Sequence, residues 1–155
     1  MADPQPPSGP RLKIERIYVK DLSLENPGAP QSFAKEQDAP QVEVSLRSRG
    51  EQLDDNHFEC VLTVTLTAKS SDKTLFLIEA AQAGVFRIEG VPLSDLQPIL
   101  GIHCPNLLFP YVRETIADAV TRAGYPAMHL DPINFEALYA QQLASMQQPQ
   151  VAAQA

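Results

Sequence analysis

The stretch 73–89 constrains this chain more than any other. It reads as one long strand, and side chains on a strand alternate between the two faces of a sheet. Phe76, Ile78, Ala80, Gln82, Phe86 and Ile88 fall on one face. Leu75, Leu77, Glu79, Ala81, Ala83 and Val85, then Arg87 and Glu89, fall on the other. A strand at the surface of a lone domain should carry one polar face, yet both faces here are substantially apolar. One face can cover the core or a subunit contact. The other, with Glu79 set among apolar neighbours, reads as a binding face.

Three more strands precede it. Residues 11–24 form the first, with Leu12 and Ile14 on one face and Ile17 and Val19 on the other, so a bulge or bend is expected near Arg16. Residues 41–47 form the second, with Val42, Val44 and Leu46 on one face, followed by a polar connection over 49–56. Residues 57–68 form the third, whose Thr-rich alternation marks an antiparallel sheet with one wet face. A hairpin connection, 69–73, leads into the long strand. The segment 25–41 holds Pro27, Gly28, Pro30 and Pro40 and is neither helix nor central strand. Phe33 is its only aromatic residue.

After Glu89 the period changes. Ser94 and Gln97 have capping-box spacing and predict a short helical turn. Gly101, Pro105 and Pro110 are expected to interrupt the next stretch, so a longer helix is predicted over 110–123, with an apolar stripe of Leu108, Val112, Ile116, Ala119, Val120 and Ala123. Gly124 and Pro126 stop it. A last amphipathic helix begins after Asn134, with Phe135, Leu138, Tyr139 and Met146 on one side. Strands first and helices last predict an α+β fold, with the helices on one face of an antiparallel sheet. Residues 1–10, with four prolines, and 147–155, with no charged side chain, are expected to be disordered tails around one domain, 11–146.

Composition narrows the partners. A formal net charge of -7 disfavours nucleic acid and anionic membranes and suits a cationic partner. No secretory signal or membrane-length apolar run is present, and only Cys60 and Cys104 are cysteines, which together predict a reducing cytoplasm. Catalytic signals are absent: the chain has no G-x-S-x-G, Walker A or G-x-G-x-x-G. A zinc site from His57, Cys60, His103 and Cys104 is disfavoured, because His57 and Cys60 point to opposite faces of their strand. An enzyme using a pocket near His103 and Cys104 is the alternative of another class. Asp54 and Asp55 read as turn residues. Asp21, Glu25, Leu77 and Glu79 form one acidic patch with an apolar centre if the first and fourth strands are neighbours; otherwise they are scattered solubilising groups.

Four segments carry a family resemblance. They are Arg16-Ile-Tyr-Val-Lys-Asp-Leu-Ser-Leu-Glu-Asn-Pro-Gly-Ala-Pro30, Phe76-Leu-Ile-Glu-Ala-Ala-Gln-Ala-Gly-Val-Phe86, Leu100-Gly-Ile-His-Cys-Pro-Asn-Leu-Leu-Phe-Pro-Tyr-Val-Arg-Glu114 and Leu130-Asp-Pro-Ile-Asn-Phe-Glu-Ala-Leu138. In order and over nearly all of 12–143, the chain resembles SecB, the bacterial preprotein-export chaperones. The resemblance implies a four-stranded antiparallel Greek-key sheet with helices, assembled as a homotetrameric dimer of dimers. It implies a cytoplasmic, non-enzymatic holdase that uses no nucleotide or other cofactor. Such a protein holds unfolded precursor proteins and hands them to SecA, the translocation ATPase; a SecB-like chaperone serving toxin–antitoxin clients is the related alternative.

By the same resemblance, SecA, through its basic zinc-containing C-terminal tail, is expected at Asp21, Glu25, Leu77 and Glu79. Subunit contacts are expected at Ile78, Ala80 and Gln82. A client groove is expected to include Phe33, Val42, Val44, Tyr125, Phe135 and Leu138. The chain departs from many members in having no Trp near 35–38 and no charge in its last nine residues.

Overall fold

The computed structural model describes residues 9–34 and 39–147. The 35–38 segment and most of both predicted tails (1–8 and 148–155) lie outside the described residues. Four strands, β1 (Arg11–Glu25), β2 (Gln41–Gln52), β3 (His57–Ser70) and β4 (Lys73–Glu89), form one antiparallel sheet in the order β1-β4-β3-β2. Hairpins join β2, β3 and β4, and the long connection returns β1 to the side of β4, which is the Greek-key arrangement. Three helices come after the sheet: α1 (Leu93–Pro98), α2 (Cys104–Arg122) and α3 (Phe135–Gln147).

β1 is in register with β4 only because it carries two irregularities, between Ile14 and Arg16 and between Val19 and Asp21. Each admits an extra residue, Glu15 and then Lys20, and shifts the alternation by one. The apparent change of phase in β1 is therefore cancelled. Leu12, Ile14, Ile17, Val19, Leu22 and Leu24 all lie opposite β4 residues of a single face, from Ile88 down to Ile78. Without the bulges Ile17 and Val19 would face the opposite side from Leu12, Ile14, Leu22 and Leu24.

That face is the inner one. α2 lies across β3 and β4, and Leu62, Val64, Leu66, Ile78 and Phe86 from the sheet meet Leu108, Val112, Ile116 and Val120 from the helix, all under 2 % exposed. Gly84 makes room for this layer, since a Cβ there would sit 2.9 Å from the Phe86 ring and 3.1 Å from Leu108. No described helix covers the outer face. It holds the threonines of β3 and the charged residues of β1 and β2.

The turns obey local chemistry. Ser71 and Asp72 both have positive φ, 48° and 66°, as a two-residue hairpin requires. Asp54 closes the β2–β3 turn by accepting the backbone N–H groups of Asn56 (2.9 Å) and His57 (2.8 Å).

Several expected boundaries are corrected. β2 runs on to Gln52, past the predicted end at Arg47, because its polar residues pair fully with β3. The capping box does not form: α1 starts at Leu93, so Ser94 lies inside it and makes no side-chain cap. The long helix starts at Cys104, not Pro110, and continues from a π-helical turn, Ile99–His103. Pro105 sits where α2 continues from the π turn, and Pro110 lies on its solvent side, where water can take up the freed carbonyl.

Candidate functional site

The registers assemble the expected acidic patch. On the outer face Glu25 stands opposite Leu77, Ser23 opposite Glu79 and Asp21 opposite Ala81. Asp21, Glu25, Leu77 and Glu79 therefore share one end of one open face, and the second bulge of β1 sets the phase that puts them there. Asp21 and Glu25 are exposed and make no ion pair among the described residues. Glu79 is held in place: Thr65 Oγ1 donates to it at 3.1 Å and the Arg47 guanidinium lies 3.6 Å away. An open depression of about 380 Å³ lies between these groups, floored by Val61, Thr63 and Ala81. Lys20, Arg47 and Arg49 line this depression together with Asp21 and Glu79, so the carboxylates free to meet a cationic segment are those of Asp21 and Glu25.

Beside it stands an ordered trio that the sequence did not suggest. Lys20, the extra residue of the second bulge, donates to Glu59 at 2.7 Å, and the Tyr18 hydroxyl donates to the same carboxylate. The Lys20 ammonium, then the Tyr18 hydrogen bond, hold the Glu59 carboxyl below its usual range. Burial, then the Glu59 carboxylate, push the Tyr18 phenol up to about 12.

The three residues expected at subunit contacts take a different position. Ile78 and Ala80 are fully buried and Gln82 is 4 % exposed, all beneath α2 of the same chain. Gln82 is satisfied there: its Nε2 donates to the Tyr18 carbonyl (3.3 Å) and its Oε1 accepts from Thr115 Oγ1 (3.0 Å). Open apolar surface on this face lies instead at its edges. Leu12, Ile14, Val19, Leu22 and Leu24 of β1 are each between 37 % and 49 % exposed.

The six expected groove residues divide. Phe33 and Tyr125 stack at 5.2 Å between centroids, and Tyr125 stacks on Phe76 at 4.7 Å. The Tyr125 hydroxyl also lies 2.6 Å from Ser32, which fixes the ring. Val42 and Val44 are exposed on the inner face of β2, opposite Ala68 and Leu66. Phe135 is a core residue, packed edge-on against Phe109 at 5.8 Å, and Leu138 is partly buried against the same core.

The open space lies elsewhere. One cleft of about 600 Å³ runs between Pro27–Ser32 and the β3–β4 hairpin. Another, of about 430 Å³, lies between β2, the π turn and α3, where Leu100, Tyr139, Leu143 and Met146 supply apolar surface. Leu143 was not singled out from the sequence. Its neighbour Met146, on the apolar side of the last helix, was the available signal.

Of the alternative chemistry near His103 and Cys104, the structure has an open hollow of about 210 Å³ that His103 lines with Leu12, Ile88, Val91 and Ile99, and Cys104 is not part of it. Cys104 is fully buried, and contact with Cys60 together with burial pushes its thiol well above the ordinary range, so it stays protonated. His57 lies on the outer face between Asp54 and Glu15, while Cys60 lies in the core. Among the described residues no group of histidine, cysteine and acidic side chains has the arrangement of a metal site. No described helix is long and apolar enough to cross a membrane.

Comparison with known proteins agrees with this geometry. The family model described as preprotein translocase subunit SecB matches residues 5–146. A protein named protein-export protein SecB from Chromobacterium violaceum is 59% identical over 135 residues, 87% of this chain and 89% of that protein. Its namesake from Methylobacillus flagellatus is 56% identical over 86% of this chain and 84% of its own length. The namesake from Bordetella pertussis is 50% identical over 91% and 80%. Among solved structures, a SecB-like chaperone of Mycobacterium tuberculosis in complex with an antitoxin peptide superposes with a TM-score of 0.64, covering 79% of this chain and 91% of that one, at 14% identity. With its Greek-key sheet, its helix-covered inner face and a family match over residues 5–146, the chain belongs to the SecB family.

Proposed function

We propose that this chain is an ATP-independent holdase of the cytoplasm. It binds unfolded precursor proteins, keeps them competent for export and delivers them to the SecA ATPase. The observation that carries this reading is the separation of the two faces of the sheet. The outer face keeps Asp21, Glu25, Leu77 and Glu79 in one open patch, suited to the basic zinc-containing tail of SecA. The helix side supplies a cleft with apolar surface from Leu100, Tyr139, Leu143 and Met146, where burial at about 25 cal/mol per Å² requires no sequence code and so suits unfolded chains. The relatives named protein-export protein, at 50–59% identity, favour export over toxin–antitoxin clients, whose representative is 14% identical.

The proposed assembly is a homotetramer, a dimer of dimers. The exposed apolar row of β1 supports it, since an edge strand of this kind calls for a cover. In this reading Ile78, Ala80 and Gln82 act on assembly from beneath, by fixing α2 and the backbone at Tyr18. Phe33, Tyr125, Val42, Val44 and Leu138 line the client surface, and Phe135 supports it from the core.

The test uses two readouts on one variant. The wild type delays folding of a slow-folding precursor at stoichiometric ratio without ATP, and it binds a SecA tail peptide loaded with zinc. Glu79→Lys weakens peptide binding by roughly tenfold and leaves the folding delay intact, because it reverses one charge of a patch whose four residues line neither cleft. Unchanged folding with wild type ends the holdase reading. Loss of both activities together ends the separation of faces.

A further inference from the structure

The outer face carries a second charged patch, at the end opposite Asp21 and Glu25. Arg11 stands opposite Glu89, and Lys13, Arg87 and His57 stand in one row across β1, β4 and β3. Arg16 comes directly after the first bulge of β1, opposite Val85, a position on this same outer face. A hollow of about 230 Å³ is lined by Arg11, Lys13, Arg87 and Glu89, three cations to one anion.

Among the described residues, Arg87 and His57 have acidic partners and the other cations of this patch do not. Glu89 is engaged by Arg87, at 2.8 and 2.9 Å to two of its nitrogens. Glu15 is engaged by His57 at 3.1 Å. Arg11, Lys13 and Arg16 are exposed and make no ion pair among the described residues. Like charges directly opposite on neighbouring strands, as with Lys13 and Arg87, destabilise a sheet. A chain of net charge -7 thus keeps Arg11, Lys13 and Arg16 exposed at one end of this face, without acidic partners among the described residues.

We propose that this end of the outer face docks an extended acidic peptide segment of a partner protein, separately from the acidic end. Charge complementarity sets the sign. Spacing sets the form: Arg11 and Lys13 project about 6.8 Å apart along the strand, which is also the repeat of alternate side chains in an extended peptide. Length is bounded as well, because beyond Arg16 the face turns acidic at Asp21 and Glu25. A segment of about four or five residues with acids at alternate positions fits this span. Polyanions such as nucleic acid or an anionic bilayer fit poorly, since they extend over the acidic remainder of the protein. The inference does not depend on the holdase reading.

The test titrates a fluorescent peptide of alternating Glu and Thr onto the full chain and reads anisotropy. Binding is expected at low salt and is expected to vanish near about 1 M salt, where the screening length falls to about 3 Å. The double variant Lys13→Glu with Arg16→Glu is expected to bind roughly tenfold or more weakly. Lys69→Glu with Arg122→Glu makes the same change in net charge elsewhere and is expected to bind like the wild type. Far-UV circular dichroism checks that each variant folds, and amide shift mapping on the wild type gives an independent readout centred on Arg11, Lys13, Arg16 and Arg87. Equal loss in both double variants would reduce the effect to net charge and overturn the proposal. So would shifts centred on the acidic end. Tighter binding of a single-stranded oligonucleotide or anionic vesicles at the same residues would overturn it too, as would self-association abolished by Lys13→Glu with Arg16→Glu, which would make a second copy the occupant.

Discussion

At the scale of single residues, His57 is a side chain whose charge state the fold shifts close to neutral pH. Its Nδ1 faces Asp54 at 2.8 Å and its Nε2 faces Glu15 at 3.1 Å. The Asp54 hydrogen bond, aided by the charges of Asp54 and Glu15, raises its pKa above the ordinary 6.5. Asp54 moves the other way, lowered first by the Asn56 backbone N–H and then by His57. A raised histidine contributes stability fully below its unfolded value and loses it as pH rises through its folded value. A lowered aspartate contributes above its unfolded value and loses it on acidification. The turn is therefore best held from above the ordinary aspartate value to about pH 6.5, and weakens toward neutral and alkaline pH. The wild-type melting temperature is expected to fall between about pH 6 and 8, and His57→Asn to flatten that fall. A variant with the same slope as the wild type would place the titration elsewhere. None of this was legible from the sequence, where Asp54 read as a solvated turn residue and Glu15 had no assigned partner.

At the scale of elements, β4 was legible to the residue, because its two apolar faces leave only one period that fits. β1 was half legible: the phase change showed that a bulge was needed, but only the register shows that a second bulge restores the phase and carries Lys20 to Glu59. α2 was misread at its start, because Pro110 counts as a stop only if its lost hydrogen bond lies away from water, whereas α3 begins at Phe135, directly after Asn134, as expected. The π turn was not legible at all. Gly101 in that turn packs under the Tyr139 ring so closely that a Cβ would sit 2.5 Å from it. α3 meets the rest of the fold through this ring, Phe135 and Leu138. Gly101→Ala is therefore expected to lift α3, speeding amide exchange over 139–146, while global stability falls by only about 1–3 kcal/mol. Unchanged exchange in α3 would mean that the Tyr139 ring alone swings aside.

At the scale of the whole molecule, assembly is where the family pattern and the single chain make different demands on the same strand. Ile78 is fully buried under α2, so a charge placed there is desolvated without a partner and costs several kcal/mol. A smaller mass for such a variant could not be told from partial unfolding. Leu22 is the better probe. It lies on the same inner face, opposite Ala80, but is 49% exposed in the single chain. Leu22→Glu leaves the core of the subunit intact and places a carboxylate in the apolar row of β1. If that row is covered by a sister subunit, the native mass falls from four chains to fewer while the sheet signal in circular dichroism is retained. If the mass is unchanged, the row is not the contact, and the assembly must be built through the outer surface of α2. A wild type that sediments as one chain would remove the tetramer altogether, and the exposed row of β1 would then be surface open to clients.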